Sequence, residues 1–120
     1  MSLDVFLTRK LYLSYDKGNT YVEQDEDVYS ANITHNLGEM AKEAGIYKAL
    51  WRPEEIGANQ AKDIIEIVEK GLSELISKPK YFQKFNSPNG WGMYEHFVPF
   101  VERYLNALKE FPEAKINVSR

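Results

Sequence analysis

No cysteine occurs in the 120 residues, which excludes disulfide frameworks, thiolate metal sites and thiol nucleophiles. A chain without disulfides fits a reducing compartment, and a cytoplasmic location is expected. Long apolar runs are missing too: nothing approaches the ~20 residues that span a bilayer. Met1 to Lys10 carries Asp4 and has no signal-peptide core. Neither membrane association nor export is expected, and Met1-Ser2-Leu3 is given no functional weight. Basic excess is also lacking, because 15 Lys and Arg stand against 18 Asp and Glu, for a net charge of -3. Binding to a phosphate backbone relies on clustered Lys and Arg, so nucleic acid is not an expected partner. The P-loop, the dinucleotide fingerprint, the GxSxG elbow and paired-histidine metal motifs are all absent. No cofactor or metal is expected, and a catalytic site would have to be assembled in three dimensions.

What is present is the composition of a folded chain. Hydrophobic residues make up 43%, with eight Tyr, six Phe and two Trp, enough to build a core at this length without disulfides or a structural metal. No linker, low-complexity tract or internal repeat divides the chain, and one domain over residues 1–120 is expected.

Along the first segment Val5, Leu7, Leu11, Leu13 and Tyr15 share one parity, interrupted by Arg9, which is the period of a strand. Asp16-Lys17-Gly18-Asn19 supplies turn residues, and Thr20 to Tyr29 returns as the second strand of a β-hairpin. The acidic run Glu23, Asp25, Glu26 and Asp27 suits a solvated strand edge better than a calcium loop, because it lacks regular ligand spacing and a Gly turn.

The period then changes, and Ile33, Leu37, Met40, Ala41 and Ala44 predict a helix from Ile33 that Gly45 stops. Ile46 to Trp51 and Pro53-Glu54-Glu55 read as short helical turns. Ala61, Ile64, Ile65, Val68, Leu72, Leu75 and Ile76 form the apolar stripe of a helix over Asn59–Lys78 that Pro79 ends. After a turn at Asn86–Gly90 a last helix carries Tyr94, Phe97, Val98, Val101, Tyr104, Leu105, Leu108 and Phe111, with Pro99 expected to kink it or mark its start. Ile116 and Val118 alternate as a final strand. The fold class is therefore α+β: a small antiparallel sheet, made of the hairpin and the C-terminal strand, packed against about three main helices. Gly38 and Gly71 interrupt helical patterns at about 1 kcal/mol each, which close helix approach would offset.

Two helix starts carry polar residues beyond what capping requires. At the first, Asn32 reads as the N-cap, leaving the side chains of His35 and Asn36 free. His35 lies one turn from Glu39 and has the chemistry of an acid, base or ligand. At the second, Trp91 offers a flat stacking face, and Gly92 as N-cap would put Glu95 at the third position of a capping box with Trp91 stapled over the first turn. Tyr94 opens the same helix. Arg52, between Trp51 and Pro53, can clamp a carboxylate or phosphate, although Glu55 competes for it. Asn32, His35, Asn36, Arg52, Trp91, Tyr94 and Glu95 are therefore the candidate ligand-binding residues. None is assigned as catalytic, and none as a metal ligand.

The segments YSANITHNLGEMAKEAGIYKALWRPEEIG (Tyr29–Gly57) and FNSPNGWGMYEHFVPFVERYLNALKEFPEAKINVSR (Phe85–Arg120) resemble a family of small bacteriophage and prophage proteins. THN, LWRPEE and NGWGxYE are the distinctive parts. The resemblance implies a phage-type origin and a shared fold, and carries over no catalytic residue. The leading functional expectation is a noncatalytic binding or interaction protein that engages a protein partner or a small anionic ligand. The alternative is a small hydrolase or transferase using His35 with Glu39 or Glu95. The sharpest expectation is spatial: the THN and NGWG helix starts lie together and, with Arg52, frame an anion pocket.

Overall fold

Alternating apolar and polar residues make the start of the chain a strand with one buried face. In the computed structural model, which describes residues 2–14 and 16–120, this strand is β1 (Ser2–Ser14), paired antiparallel with β2 (Tyr21–Thr34). Tyr15, expected at the end of the first strand, lies outside the described residues. Lys17 and Gly18 turn the hairpin at φ 55° and 92°. Asp16 Oδ1 accepts from the Thr20 N–H at 2.7 Å. A C-terminal strand, β3 (Lys115–Ser119), covers the other edge of β1 from Asp4 to Thr8, giving the order β2-β1-β3. Leu3, Val5, Leu7, Ile33 and Ile116 are buried on one face. Leu3, given no functional weight on sequence grounds, is a core residue and pairs with Ile33.

β2 runs five residues beyond Tyr29, to Thr34, which corrects the expected helix start. Ile33 is the last inward residue of a strand, because β1 begins at Ser2 and supplies partners as far as Thr34. A 3-10 turn (His35–Leu37) then leads into α1 (Gly38–Glu43), and Gly45, φ 79°, turns the chain away two residues after its end. α2 (Tyr47–Trp51) and a 3-10 turn (Pro53–Ile56) follow.

Another 3-10 turn (Ala61–Asp63) opens α3 (Ile65–Ser77). Asp63 Oδ2 accepts from the N–H groups of Asn59 and Gln60 at 3.0 and 2.9 Å, and these bonds hold its carboxyl below the usual carboxylate value. Ala61, Ile64, Val68, Leu72 and Leu75 are buried as expected, but Ile76 is exposed. Gly71 is a close-approach position: a Cβ there would overlap Ile46 Cγ2 and lie 3.2 Å from the Ala44 carbonyl. Gly38 makes no such demand, since its Cβ would meet the Tyr47 ring at an ordinary 3.6 Å.

After α4 (Pro79–Gln83), α5 (Tyr94–Glu110) packs on α3 and β2. It continues through Pro99, which is exposed in the second turn. Phe97, Phe100 and Tyr104 form a ladder with centroid separations of 6.4 and 6.2 Å, and Tyr104 stacks on Tyr29 of β2 at 6.0 Å. Sheet and helices share one hydrophobic core, and the chain is an α+β domain.

Tyr104 carries a buried hydroxyl without a hydrogen-bond partner among the described residues, and burial pushes its pKa far above the usual tyrosine value. An unsatisfied buried hydroxyl costs about 1–3 kcal/mol, so Tyr104→Phe is expected to raise stability by about 1 kcal/mol. The folded state holds the phenol proton to higher pH than the unfolded state, whose tyrosine titrates near 10. The protein therefore loses stability as pH rises above about 10. Urea titrations between pH 8 and 11 check both effects, and Tyr104→Phe should show a shallower alkaline decline.

Candidate functional site

Thr34 is the residue that caps the first helical turn. Its Oγ1 accepts from the Asn36 N–H at 3.3 Å. Asn32, the expected cap, is still in the strand and donates from Nδ2 to Asp4 Oδ1 at 2.6 Å. This frees the His35 and Asn36 side chains for contacts made elsewhere.

Trp51 Nε1 lies 2.8 Å from His35 Nδ1. An indole N–H only donates, so Nδ1 accepts and the imidazole proton sits on Nε2. Trp51 is buried and stacks on Tyr47 at 5.2 Å. His35 is thereby fixed by a structural side chain, and its Nε2–H is the group it can offer to a ligand.

Asn36 joins the turn to the NGWG loop. Its Nδ2 donates to the Trp91 carbonyl at 2.8 Å. At Gly92, φ 112°, a Cβ would lie 2.8 Å from Asn36 Cβ, so glycine is required both for the backbone conformation and for the approach. The loop is held from within: Asn89 Oδ1 accepts from the Trp91 N–H at 3.0 Å and from Ser87 Oγ at 2.6 Å, and Asn86 Oδ1 accepts from the Tyr94 N–H at 2.7 Å. The expected capping box does not form. α5 starts at Tyr94 with Met93 at the cap position, and the Trp91 side chain is 70% exposed instead of stapled over the first turn.

The two segments thus lie together, as their sequences suggested, and bound a cleft of about 1150 Å³. Asn32, Thr34, His35 and Asn36 face Asn89, Trp91, Gly92 and His96 across it. Four of the seven sequence candidates (Asn32, His35, Asn36 and Trp91) line this cleft, and three do not. Arg52 stands outside it, beside the Tyr47 hydroxyl and paired with Glu55 at 3.4 Å; both neighbours raise its pKa. Tyr94 donates its hydroxyl to the Leu75 carbonyl at 2.7 Å, which ties α5 to α3. Glu95 is exposed, 3.9 Å from His96. Glu39 pairs with Lys42 at 3.4 Å and lines a smaller neighbouring groove of about 530 Å³, which shares His35 and Asn36 with the cleft.

Sequence reasoning missed Asn89, His96 and Ser2 as lining residues. The turn chemistry of SPNG hid Asn89, and nothing local signals that His96 faces the cleft. Arg120 was also missed. It donates to the Trp51 carbonyl at 2.8 Å and pairs with Glu54, depressing that carboxyl's pKa, so the C-terminus helps to hold the element that orients His35.

Among the described residues no Lys, Arg, Asp or Glu lines the cleft, and no cluster of His, Asp and Glu could hold a metal. No helix is long and apolar enough to cross a membrane. Comparison with protein-family models, with curated proteins and with solved structures found no match.

Proposed function

We propose that the protein is a noncatalytic binding protein of phage type whose ligand site is the cleft between the THN turn and the NGWG loop. The phage assignment rests on the resemblance of the Tyr29–Gly57 and Phe85–Arg120 segments. The observation that carries the binding reading is Trp91: a 70% exposed indole on a loop anchored by hydrogen bonds from Asn36 and to Asn89. Around it the amide groups are used on one side only. Asn32 and Asn36 spend their Nδ2 groups inside the protein, leaving Oδ1 as an acceptor, while Asn89 spends Oδ1 and leaves Nδ2 as a donor. His35 adds the Nε2–H donor. Such a set matches an uncharged ligand rich in hydroxyls with one flat apolar face, and a sugar ring is the simplest molecule of that chemistry.

The anion expected from the sequence loses its cation, because Arg52 lies outside the cleft. The alternative, a hydrolase or transferase using His35 with Glu39 or Glu95, draws less support: Trp51 engages the Nδ1 lone pair, which leaves His35 an acid at Nε2, and neither carboxylate lines the cleft. Titration with a panel of neutral saccharides, followed by tryptophan fluorescence, tests the reading. A saturable response is expected, reduced at least about tenfold in affinity by Trp91→Ala and more weakly by His35→Gln, with no turnover of the bound sugar. A response that survives both substitutions would place binding elsewhere.

A further inference from the structure

The molecule measures 59 × 27 × 23 Å, an elongation matched by a hairpin that outruns the core. β3 stops at Lys115, opposite Thr8, so β1 has a strand on only one side from Arg9 to Ser14. At the same point the register shifts: Leu7 pairs with Tyr29 and Thr8 with Asp27, leaving Val28 as the extra residue of a bulge. Beyond it a two-stranded ribbon projects with Tyr12 and Tyr21 62% and 60% exposed and Leu13 and Val22 exposed beside them. A ribbon of this kind is marginal in water by itself, and its open edges are templates for another strand.

The two edges differ in chemistry. A second copy laid antiparallel along β2, with the two-fold axis at Gln24, would set Glu23 opposite Asp25 twice, and opposed like charges destabilise a sheet. Along β1, an axis at Tyr12 sets Tyr12 against its own copy, Leu11 against Leu13, and Lys10 against Ser14, with no like charges opposed. The intrachain pairs Leu11 with Gln24 and Leu13 with Val22 extend each row outward. Leu11, Leu13 and Val22 of both copies then meet on one face, and the paired Tyr12 side chains, with Tyr21 diagonal to them, meet on the other.

We propose that two copies of the chain associate through the free edge of β1 at Lys10–Ser14, joining their arms in a continuous antiparallel sheet. The contact is isologous and closes as a dimer. The competing arrangement, the β1 edge of one copy on the acidic β2 edge of the next, is head-to-tail and grows into an open chain.

Sedimentation of the intact protein should give twice the 13.9 kDa chain mass. Because the chain has no cysteine, Tyr12→Cys reports the axis directly: mild oxidation should convert it to a covalent dimer, while Ile76→Cys, exposed on α3, should not cross-link. Leu13→Lys should weaken association about 100-fold, with unchanged circular dichroism showing that the fold is kept, and Trp91→Ala should leave association intact. A monomer at all concentrations up to about 1 mM, an open polymer, or a dimer in which Cys at position 12 fails to cross-link would each overturn the proposal.

Discussion

Gly71→Leu is expected to cost about 3 kcal/mol or more, even though leucine is the better helix former by close to 1 kcal/mol. The first atom added already collides with Ile46 Cγ2, and the Ala44 carbonyl stands 3.2 Å from the same Cβ position. Ile46 is completely buried and has no space into which to retreat. The segment against α3 is the link between α1 and α2, so pushing it outward also displaces Trp51 and, through it, His35. Urea denaturation followed by circular dichroism measures the loss, and Gly71→Ala should show a smaller loss in the same direction. Stabilisation by either substitution would mean that the α3 surface at Gly71 is free.

Deleting Lys115 to Arg120 is expected to destabilise the protein by about 4 kcal/mol or more, since removal of a single buried Ile side chain already costs about 2–5 kcal/mol. Ile116 is that buried side chain, and its backbone N–H also donates to the Asn59 carbonyl at 2.9 Å. The deletion further removes the strand paired with Asp4–Thr8 and the Arg120 bond to the Trp51 carbonyl. At roughly 4 °C or more per kcal/mol for a domain of this size, the melting temperature should fall by well over 10 °C. An unchanged melting point would remove β3 from the account of the fold.

Much of the fold was legible in the sequence because it rests on periodicity. The hairpin, the Gly45 stop, the α3 stripe and the C-terminal strand all follow from apolar spacing and turn residues. The errors arise where tertiary pairing decides. Ile33 fits a helical spacing as well as a strand, and only the presence of β1 partners as far as Ser2 resolves it. Leu11 and Leu13 continue the β1 parity, yet the core ends at Leu7 because β3 and the helices reach no further. Trp91 fitted a hydrophobic staple until the helix began one residue later than its capping pattern implied. The juxtaposition of the THN and NGWG segments was expected from their shared surplus of polar groups. Which side chains join them, Asn36 to the Trp91 carbonyl and Trp51 to His35, depends on loop geometry that no spacing rule encodes.

The central claim is that the cleft recognises a neutral, hydroxyl-rich ligand on the Trp91 face while His35 stays fixed by Trp51. The two indole N–H resonances of the protein test it most directly, with Trp91→Phe assigning them. On titration with neutral saccharides the account predicts a saturable shift of the Trp91 resonance. The Trp51 resonance, hydrogen-bonded to His35, should move little and remain protected from solvent exchange. A Trp91 resonance that no saccharide moves, or a Trp51 N–H that exchanges freely before any ligand is added, would contradict it.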